Sequence, residues 1–193
     1  MKYADIAIKS YLDELAARKP SPGGGSAAAL FAAIGCALME MVLNYSDGKN
    51  TLIKKARQRF KAGRTAFVKL IDDDIAAYKK YSFERNQKNL KEAASVPLKI
   101  CLLSYELTEQ SLKLLKVVNK NLISDAGCAV YGLVSSFKTA RVSVDINMKY
   151  MEDKRFAVAV AAKLNKLEKK LLSLEKGVIC SVNKIIKKPW QKY

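Results

Sequence analysis

The sequence contains no histidine among its 193 residues. Histidine is the commonest general base at neutral pH and the commonest metal ligand in proteins, so its absence narrows the chemistry open to this chain. Any acid–base catalysis must therefore use carboxylates, lysine, tyrosine or cysteine.

Cysteine is scarce and scattered along the chain. The four thiols are Cys36, Cys101, Cys128 and Cys180, and no two of them have the short spacing of a zinc motif. All four stand in apolar helical contexts, which favours buried, reduced thiols over disulfides. We therefore expect a cytoplasmic protein with no metal site and no permanently bound cofactor.

An N-terminal signal pattern and a long uncharged apolar run are missing too. Met1–Lys19 is polar and amphipathic, and the longest apolar run, residues 26–39, is interrupted by Glu40. The sequence thus favours a protein that does not use a membrane.

What the sequence has in excess is positive charge. Lysine and arginine number 35 against 18 aspartates and glutamates, a formal charge of +17 that attracts nucleic acid, headgroups or a small polyanion. Residues 154–193 hold eleven basic residues against two glutamates, without aromatic interleaving or a groove-reading motif. A solvated helix face is therefore the simpler explanation, and nucleic acid is not favoured as a partner.

Helix-forming residues dominate the rest of the chain. Half of the residues are hydrophobic, proline is rare, and the alternation typical of strands is absent. The sequence predicts an all-α, single-domain bundle over residues 1–193 with about six helices, several of them long. The predicted helices cover residues 4–18, 27–45, 51 to beyond 78, 89–119, 124 or 125 to 149, and, after residue 156, on to about Lys188.

Three consecutive glycines stand in the stretch SPGGGS, just before the second predicted helix. Gly23, Gly24 and Gly25 lack a Cβ, so they allow positive φ and the close approach of another group. Together with Ser26 at a helix N-terminus, they can form a cradle of backbone N–H groups for an anion or a polarised carbonyl. A tight turn that redirects the chain explains the glycines equally well.

Three consecutive aspartates occupy positions 72–74. On a helix they point about 100° apart, so at most two of them face one site. Asp74 and Tyr78 are four residues apart and share a helix face. If that face points inward, Asp74 is a buried carboxylate beside a phenol, which suits acid–base chemistry; a solvated acidic turn is the simpler alternative.

Side-chain amides and a carboxylate gather at the start of the fifth predicted helix, in NKNLISDAG. Either Ser124 or Asp125 can cap that helix. Capping does not require Asn119 and Asn121 as well, so this cluster is a second candidate for ligand binding.

Several stretches occur together in the order found in one known family. They are SPGGGSAAA, the following A..G.AL.EMV.N, DGK at 47–49, DDIAAY, EAASVPLKIC, NLISDAGCAV and IN at 146–147. On these stretches the chain resembles the cyclodeaminase/cyclohydrolase family of one-carbon folate metabolism. That family includes the cyclodeaminase half of formiminotransferase-cyclodeaminase and free-standing bacterial methenyltetrahydrofolate cyclohydrolases.

The resemblance implies an all-helical, oligomeric enzyme that binds a folate between helices. The compact chain is more similar to the cyclohydrolases, which convert 5,10-methenyl-tetrahydrofolate and water to 10-formyl-tetrahydrofolate. The alternative is the cyclodeaminase reaction, in which 5-formimino-tetrahydrofolate gives 5,10-methenyl-tetrahydrofolate and ammonia. A folate-binding protein without catalysis and a basic nucleic-acid binder are the further alternatives.

On this hypothesis Asp74 is the base, Tyr78 orients it and Asp125 anchors the pterin. Lys49 pairs with an anionic end of the folate, and the glycine cradle and amides supply the other contacts. The binding residues are Gly23, Gly24, Gly25, Ser26, Lys49, Asn119, Asn121, Ser124 and Asn147. The positive charge suits this substrate, because folates carry one or several glutamates.

Three features depart from the family pattern. The segment 79–92 is shorter than usual, and residues 50–52 replace a basic and aromatic continuation after DGK. Ser143 stands where many relatives carry the first asparagine of an N-x-x-x-N pair that ends at Asn147. These departures leave the choice of substrate, and activity itself, open.

The spacing of two proposed site residues constrains the assembly. Asp125 and Asn147 are 147 − 125 = 22 residues apart on one predicted helix, which is about 33 Å at about 1.5 Å per residue. One pocket in one subunit cannot easily use both. Either the helix breaks near Gly132 or a two-fold partner brings the opposite end across, and we expect a homodimer.

Overall fold

Six α-helices and two single-turn 3-10 helices make up the protein. In the computed structural model, which describes residues 2–186, no strand occurs within that range. The α-helices are α1 (Ile8–Ala16), α2 (Gly24–Asn44), α3 (Thr51–Phe83), α4 (Gln87–Leu114), α5 (Ile123–Lys149) and α6 (Lys154–Ile186), with 3-10 turns at Tyr3–Asp5 and Lys120–Leu122. The predicted all-α bundle of six helices is confirmed.

Asparagine side chains begin two of the long helices. Asn50 Oδ1 accepts hydrogen bonds from the N–H groups of Leu52 and Ile53 at 2.9 and 3.4 Å, at the start of α3. Asn86 Oδ1 accepts from the Asn89 N–H at 2.8 Å, at the start of α4. These side chains satisfy N–H groups that have no partner within the helix, which stabilises each helix by about 1 kcal/mol.

Two predicted boundaries near the N-terminus are wrong. The first helix is shorter than residues 4–18, because Tyr3–Asp5 forms a separate 3-10 turn and Ile6 is extended. The second helix begins at Gly24 rather than near Ala27, so two of the three glycines lie inside its first turn.

The boundaries around the second 3-10 turn also differ from the prediction. The fourth helix ends at Leu114 rather than at Asn119. The fifth begins at Ile123, so neither Ser124 nor Asp125 caps it. The 3-10 turn runs directly into α5, and the cap is therefore Asn119, whose side chain accepts from the Asn121 N–H. The predicted end of the last helix near Lys188 lies outside the described residues.

Helix α2 packs closely against α5, and glycines make the close approach possible. A Cβ at Gly35 would lie 2.8 Å from the carbonyl oxygen of Ala129, and a Cβ at Gly132 would lie 3.2 Å from the Phe31 carbonyl oxygen. Because the atoms in the way are backbone atoms, only glycine fits at this crossing. The small residues of α2 thus serve tight helix packing, as the sequence indicated.

The two helices run antiparallel, since Gly24 lies near Ser143 while Gly35 lies near Ala129. Helix α5 continues without interruption from Ile123 to Lys149, so the predicted alternative of a break near Gly132 is wrong. Asp125 and Asn147 therefore stay at opposite ends of the bundle.

The remaining helices complete one continuous hydrophobic core. Helix α3 contributes Phe60 and Phe67, which are fully buried, and α5 contributes Phe137. Helix α4 lies between α3 and α5 and includes a buried proline, Pro97. Helix α6 covers α4 and α5 with Leu164, Leu171 and Val178.

Helix α2 is the one helix of the described residues that is long and apolar enough to cross a membrane. The same test is passed by core helices of globular proteins, because they are apolar on several sides. In this protein 56% of its most apolar window is buried inside the fold.

The close crossing of α2 and α5 at Gly35 predicts that a larger side chain there destabilises the protein. Gly35→Ala should lower the free energy of unfolding by about 1–3 kcal/mol, because the new methyl group meets the Ala129 carbonyl oxygen and overpacks the contact. Urea denaturation measures the change.

Gly177→Ala in α6 is the matched control. Its Cβ would lie 3.5 Å from Leu112, an ordinary contact, so the better helix propensity of alanine should raise stability by up to about 1 kcal/mol. Equal effects of the two substitutions would contradict the close crossing.

Candidate functional site

The three consecutive aspartates of α3 have three different surroundings. Asp72 accepts a hydrogen bond from the Tyr3 N–H at 2.6 Å and so holds the N-terminal 3-10 turn. Asp73 pairs with Lys69 at the surface. Asp74 lies against the first turn of α2. Only Asp74 therefore reaches the predicted site. This agrees with the prediction that at most two of the three aspartates can face one site.

Gly25 and the Asp74 carboxyl group are in close contact. A Cβ at Gly25 would lie 2.6 Å from Asp74 Cγ and 2.7 Å from Oδ2, so the carboxylate occupies the space that any side chain would need. The Ser26 N–H lies close enough to the same carboxylate to stabilise its negative charge. Asp74 thus sits at the N-terminus of α2, where unpaired N–H groups and the helix dipole favour negative charge.

Close approach, and not an unusual backbone conformation, is what the glycines provide. No glycine among residues 2–186 has positive φ, and Gly23 is extended with φ −149°. The predicted role of positive φ is therefore wrong, whereas the predicted role of close approach is confirmed at Gly25.

A buried tyrosine that sequence reasoning missed completes this arrangement. The Tyr11 hydroxyl lies 3.1 Å from Ser26 Oγ, and Tyr11 is 3% exposed. Ser26 Oγ also donates to the Gly23 carbonyl oxygen at 2.9 Å and accepts from the Gly23 N–H at 3.2 Å. The sequence signal is weak, because Tyr11 stands on a short amphipathic helix, where an apolar residue needs no functional explanation.

Burial raises the pKa of Asp74 from its ordinary value near 3.8 to about 6, while the Ser26 N–H opposes the shift. Burial also raises the pKa of the Tyr11 phenol, and the negative charge of Asp74 adds to that rise. A carboxyl group with a pKa near 6 can both accept and return a proton close to neutral pH. Asp74 is therefore suited to general acid–base chemistry.

Two residues of α5 lie at the same end of the bundle. The Ser143 hydroxyl would be 3.5 Å from a Cβ at Gly24, and Asn147 follows one helical turn later. Tyr78 lies one turn beyond Asp74 on α3 and is 42% exposed. Within the described chain, no hydrogen bond joins the Tyr78 hydroxyl to Asp74, and the phenol closest to this network is that of Tyr11. We call Gly23–Ser26, Asp74, Ser143 and Asn147 the glycine-end cluster.

A buried hydroxyl group beside the glycines is available for a ligand. Ser21 is 6% exposed, and its hydroxyl oxygen has no hydrogen-bond partner among the described residues. An unpaired buried hydroxyl costs about 1–3 kcal/mol, so a polar group that binds here would gain from meeting it.

The second predicted group lies at the opposite end of α5. Asn119 Nδ2 donates to the Tyr45 carbonyl oxygen at 3.1 Å, and the Asn119 N–H donates to Ser46 Oγ at 3.0 Å. These bonds tie the turn before α5 to the end of α2. Asn119 Oδ1 also accepts from the Asn121 N–H, so this amide mainly shapes the turn and keeps one lone pair for a ligand.

Four other predicted residues accompany Asn119. Asp125 is half-buried in the first turn of α5, and Ser124 and Asn121 are exposed. Lys49 is exposed in the loop between α2 and α3, where its N–H donates to Asp47 Oδ1. We call Lys49, Asn119, Asn121, Ser124 and Asp125 the aspartate-end cluster.

The fold thus divides the predicted site residues into two clusters. Ser143 and Asp125 are 143 − 125 = 18 residues apart on the unbroken α5, a distance of about 27 Å along the helix. Each cluster offers a carboxylate together with amide or hydroxyl groups. No group of three or more Cys, Asp or Glu side chains within residues 2–186 has a geometry that could hold a metal ion.

A model of the formiminotransferase-cyclodeaminase family matches residues 7–166, which include Tyr11 and both clusters. The chain belongs to this family. The resemblance noted from the sequence motifs is therefore confirmed, and this family's match extends well beyond the glycine stretch.

Relatives of this chain carry two activities in their names. A methenyltetrahydrofolate cyclohydrolase of Methylorubrum extorquens is 32% identical, over 78% of this chain and 83% of the relative. The formimidoyltransferase-cyclodeaminase of Rattus norvegicus is 29% identical over 79% of this chain, which spans only about a third (32%) of that longer protein. The crystal structure of formiminotetrahydrofolate cyclodeaminase from Thermotoga maritima superposes with a TM-score of 0.88 at 28% identity, covering 94% of this chain and 98% of that one.

The raised pKa of Asp74 gives stability a pH dependence with a definite sign. The folded-state pKa, about 6, exceeds the unfolded value, so the folded protein binds the proton more tightly and the parent loses stability as pH rises from about 4 to 6. The side chain of Asp74→Asn does not ionise, so the free energy of unfolding of the variant should not show this loss. The difference in this free energy between variant and parent should therefore grow by about 1–2 kcal/mol from pH 4 to pH 8, a value reduced for the partial exposure of the carboxyl group.

Asp73→Asn is the matched control, since Asp73 is the neighbouring carboxylate and pairs with Lys69 at the surface. Its free energy of unfolding should follow that of the parent over the same pH range within about 0.5 kcal/mol. Urea denaturation at pH 4, 6 and 8 measures all three proteins. A pH-independent difference for Asp74→Asn would contradict the burial of a titrating carboxyl group.

Proposed function

We propose that the protein is a methenyltetrahydrofolate cyclohydrolase, which converts 5,10-methenyl-tetrahydrofolate and water to 10-formyl-tetrahydrofolate. The observation that carries this proposal is the Asp74 carboxyl group, held against Gly25 at the N-terminus of α2 with a pKa of about 6. The Methylorubrum relative named for this activity, matched over 83% of its length, supports it.

The first step adds water to the bridging carbon of the substrate. The methenyl bridge is an amidinium cation, and a carboxylate beside it stabilises the charge and accepts the proton of the attacking water. No charged side chain among residues 2–186 contributes to the pKa shift of Asp74. The negative charge of Asp74 is therefore free to act on the substrate cation.

The second step breaks the bond between the bridging carbon and N5. The carbinolamine oxygen loses its proton as the formyl C=O bond forms, and N5 leaves with a proton returned by the Asp74 carboxylic acid. One proton is released overall, because a cation is converted to a neutral formamide. A carboxyl group whose pKa lies near the working pH can accept a proton in the first step and donate one in the second.

The backbone at the start of α2 provides the polar contacts around the reacting carbon. The N–H groups of Gly24 and Gly25 belong to the first turn and have no partner within the helix. They suit a carbonyl or carboxylate oxygen of the folate. Ser143 and Asn147 face the same region from α5 and offer a hydroxyl and an amide.

The aspartate-end cluster is suited to the pterin and the glutamate part of the substrate. Asp125 offers a carboxylate to the amino and amide N–H groups of a pterin, and Asn121 offers an amide. Lys49 pairs with a glutamate carboxylate. The charge of +17 attracts a polyglutamylated folate at long range, an attraction that salt weakens.

A homodimer brings the two clusters together. They lie at opposite ends of antiparallel helices, so a two-fold axis near the middle of α2 and α5 places the aspartate end of one protomer beside the glycine end of the other. Each site then takes Asp74 from one protomer and Asp125 from its partner.

An exposed uncharged surface lies where that contact is required. The outward sides of α2 and α5 adjoin each other, and α5 has no charged residue between Asp125 and Lys138 in a chain that is 27% charged. Single exposed apolar side chains are common on protein surfaces, but a continuous uncharged surface marks an interface. This uncharged face consists of Phe31, Ile34, Ala37, Cys128, Tyr131 and Ser135.

The second candidate function is formimidoyltetrahydrofolate cyclodeaminase. The Thermotoga neighbour, which covers the whole described bundle at a TM-score of 0.88, is named for this reaction. N10 of 5-formimino-tetrahydrofolate attacks the formimino carbon, and the N10 proton moves to the formimino nitrogen. That nitrogen takes a second proton from the Asp74 carboxylic acid and leaves as ammonia, so the same residue serves either reaction.

Turnover with both folates tests the proposal. The purified protein should consume 5,10-methenyl-tetrahydrofolate, measured as loss of methenyl absorbance, and Asp74→Asn should lower kcat by at least about a hundredfold because it removes the proton acceptor. Formation of methenyl absorbance from 5-formimino-tetrahydrofolate would instead favour the cyclodeaminase.

Asp73→Asn is the control for this assay, since it removes a neighbouring surface carboxylate and should keep near-parental kcat. Tight folate binding without turnover of either substrate would contradict the proposal and indicate a folate-binding protein without catalysis. Duplex DNA binding at physiological salt, with no effect of folate on the unfolding temperature, would instead support a nucleic-acid binder.

Mixing two inactive variants tests the shared site. Asp74→Asn and Asp125→Asn should each be inactive alone, and their mixture after subunit exchange should regain about a quarter of parental activity. Half of the dimers are then mixed, and each mixed dimer has one site with both aspartates intact. Light scattering should give the mass of a dimer.

Ile34→Glu places a charge in the uncharged face and should give a monomer of low activity. Leu172→Glu is the matched control, because Leu172 of α6 is similarly exposed (44% against 51%) and lies outside that face. A monomeric, fully active parent, or a mixture that regains nothing, would refute the shared site.

A further inference from the structure

The N-terminal segment carries one side chain into the immediate surroundings of Asp74. Tyr11 lies on α1, whose nine residues include it as their one buried position. Its hydroxyl reaches Ser26 Oγ at 3.1 Å, and Asp74 lies close enough for its charge to act on the phenol. A buried tyrosine hydroxyl with a single partner in such a place calls for a role beyond filling the core.

We propose that Tyr11 is a positioning residue for Asp74, which acts through the hydroxyl and the backbone N–H of Ser26. The kinetic test of this inference rests on the proposed function, because it measures turnover of methenyl-tetrahydrofolate. Tyr11 does not touch the substrate; it fixes the first turn of α2 on which the carboxylate depends.

The donors and acceptors of Ser26 determine the direction of the hydrogen bonds. A serine hydroxyl has one proton to donate and two lone pairs to accept with. Ser26 Oγ donates to the Gly23 carbonyl oxygen and accepts from the Gly23 N–H. The remaining lone pair faces Tyr11, so the phenol donates to Ser26 Oγ. These three hydrogen bonds hold Ser26 in place. They therefore also hold the backbone N–H that stabilises the Asp74 carboxylate.

The rest of the N-terminal segment holds Tyr11 in this position. The Tyr3 ring packs edge-on against the Tyr11 ring with centroids 6.5 Å apart. The 3-10 turn that carries Tyr3 is fixed in turn by Asp72, which accepts from the Tyr3 and Ala4 N–H groups at 2.6 and 3.4 Å. Asp72 thus holds the N-terminal segment whose Tyr11 lies within range of the Asp74 charge.

The surroundings of Asp74 identify the groups that can tune it. Helix α1 brings the Tyr11 phenol, α2 brings the Ser26 N–H, and α5 brings the uncharged hydroxyl of Ser143 beside Gly24. Along α3, Asp73 is paired with Lys69 and Asp72 with backbone N–H groups. Because no other charged group contributes, the Ser26 N–H is the stabilising contact that loss of Tyr11 would weaken.

Tyr11→Phe tests the proposal, since it keeps the ring and removes the hydroxyl. The Asp74 carboxyl group, followed by ¹³C NMR, should titrate at higher pH in the variant than in the parent, because the Ser26 N–H holds the carboxylate less well. The kcat with methenyl-tetrahydrofolate should fall about five- to tenfold with KM changed less than about twofold, and the acidic limb of the rate profile should move to higher pH.

Tyr3→Phe is the matched control, because it keeps the ring contact and removes a hydroxyl that has no hydrogen bond among residues 2–186. It should leave both the titration and kcat unchanged. Ser26→Ala and the double variant complete a cycle: if Tyr11 acts through Ser26, the double variant should be no worse than Ser26→Ala alone.

Three results would overturn the proposal: an unchanged Asp74 titration in Tyr11→Phe, an unchanged kcat in an active parent, or additive effects in the cycle. Failure of the proposed function is a separate result, because a parent that turns over neither folate still has an Asp74 carboxyl group to titrate. The NMR comparison then decides the role of Tyr11 by itself. Thermal unfolding monitored by circular dichroism establishes that each variant is folded.

Discussion

The contact between Asp74 and the first turn of α2 is the constraint on which the rest of this protein depends. A carboxylate is costly to bury, and here the Ser26 N–H and the positive end of a helix dipole offset part of that cost. The contact requires that residue 25 have no side chain. It also requires that α2 and α3 run antiparallel at close range. The packing of these two helices in the core therefore determines the geometry of the candidate site.

Close packing that requires glycine also governs the contact between α2 and α5. Gly35 and Gly132 bring α2 and α5 so close together that backbone atoms touch. Their antiparallel arrangement fixes where each functional group can lie: the glycine-end cluster at one end, the aspartate-end cluster at the other. One pocket within one protomer cannot easily use both clusters, since about 27 Å separates them along α5. The proposed dimer follows from this separation and from the uncharged face midway between the clusters.

Without histidine, the proposed proton chemistry uses the Asp74 carboxyl group, whose pKa is raised by burial. Stability is lower as a result, because the ionised carboxylate is poorly solvated in the folded protein. Functional sites commonly combine a perturbed pKa with a local loss of stability. On the proposal for Tyr11, this residue and Ser26 limit the loss by holding a donor in place, and the short helix α1 then contributes to the candidate site.

The sequence by itself determined the helical class, the number of helices and the family, because periodicity, alanine content and the motif order are properties of local sequence. It also made Asp74 a candidate, because Asp74 shares a helix face with Tyr78, but it left a solvated acidic turn as the simpler alternative. Only the tertiary structure decided that Gly25 makes room for a carboxylate, that Asn119 rather than Asp125 provides a cap, and that Tyr11 reaches Ser26 from 15 residues away. These depend on contacts between helices distant in the chain, and such contacts leave no periodic pattern in any one helix.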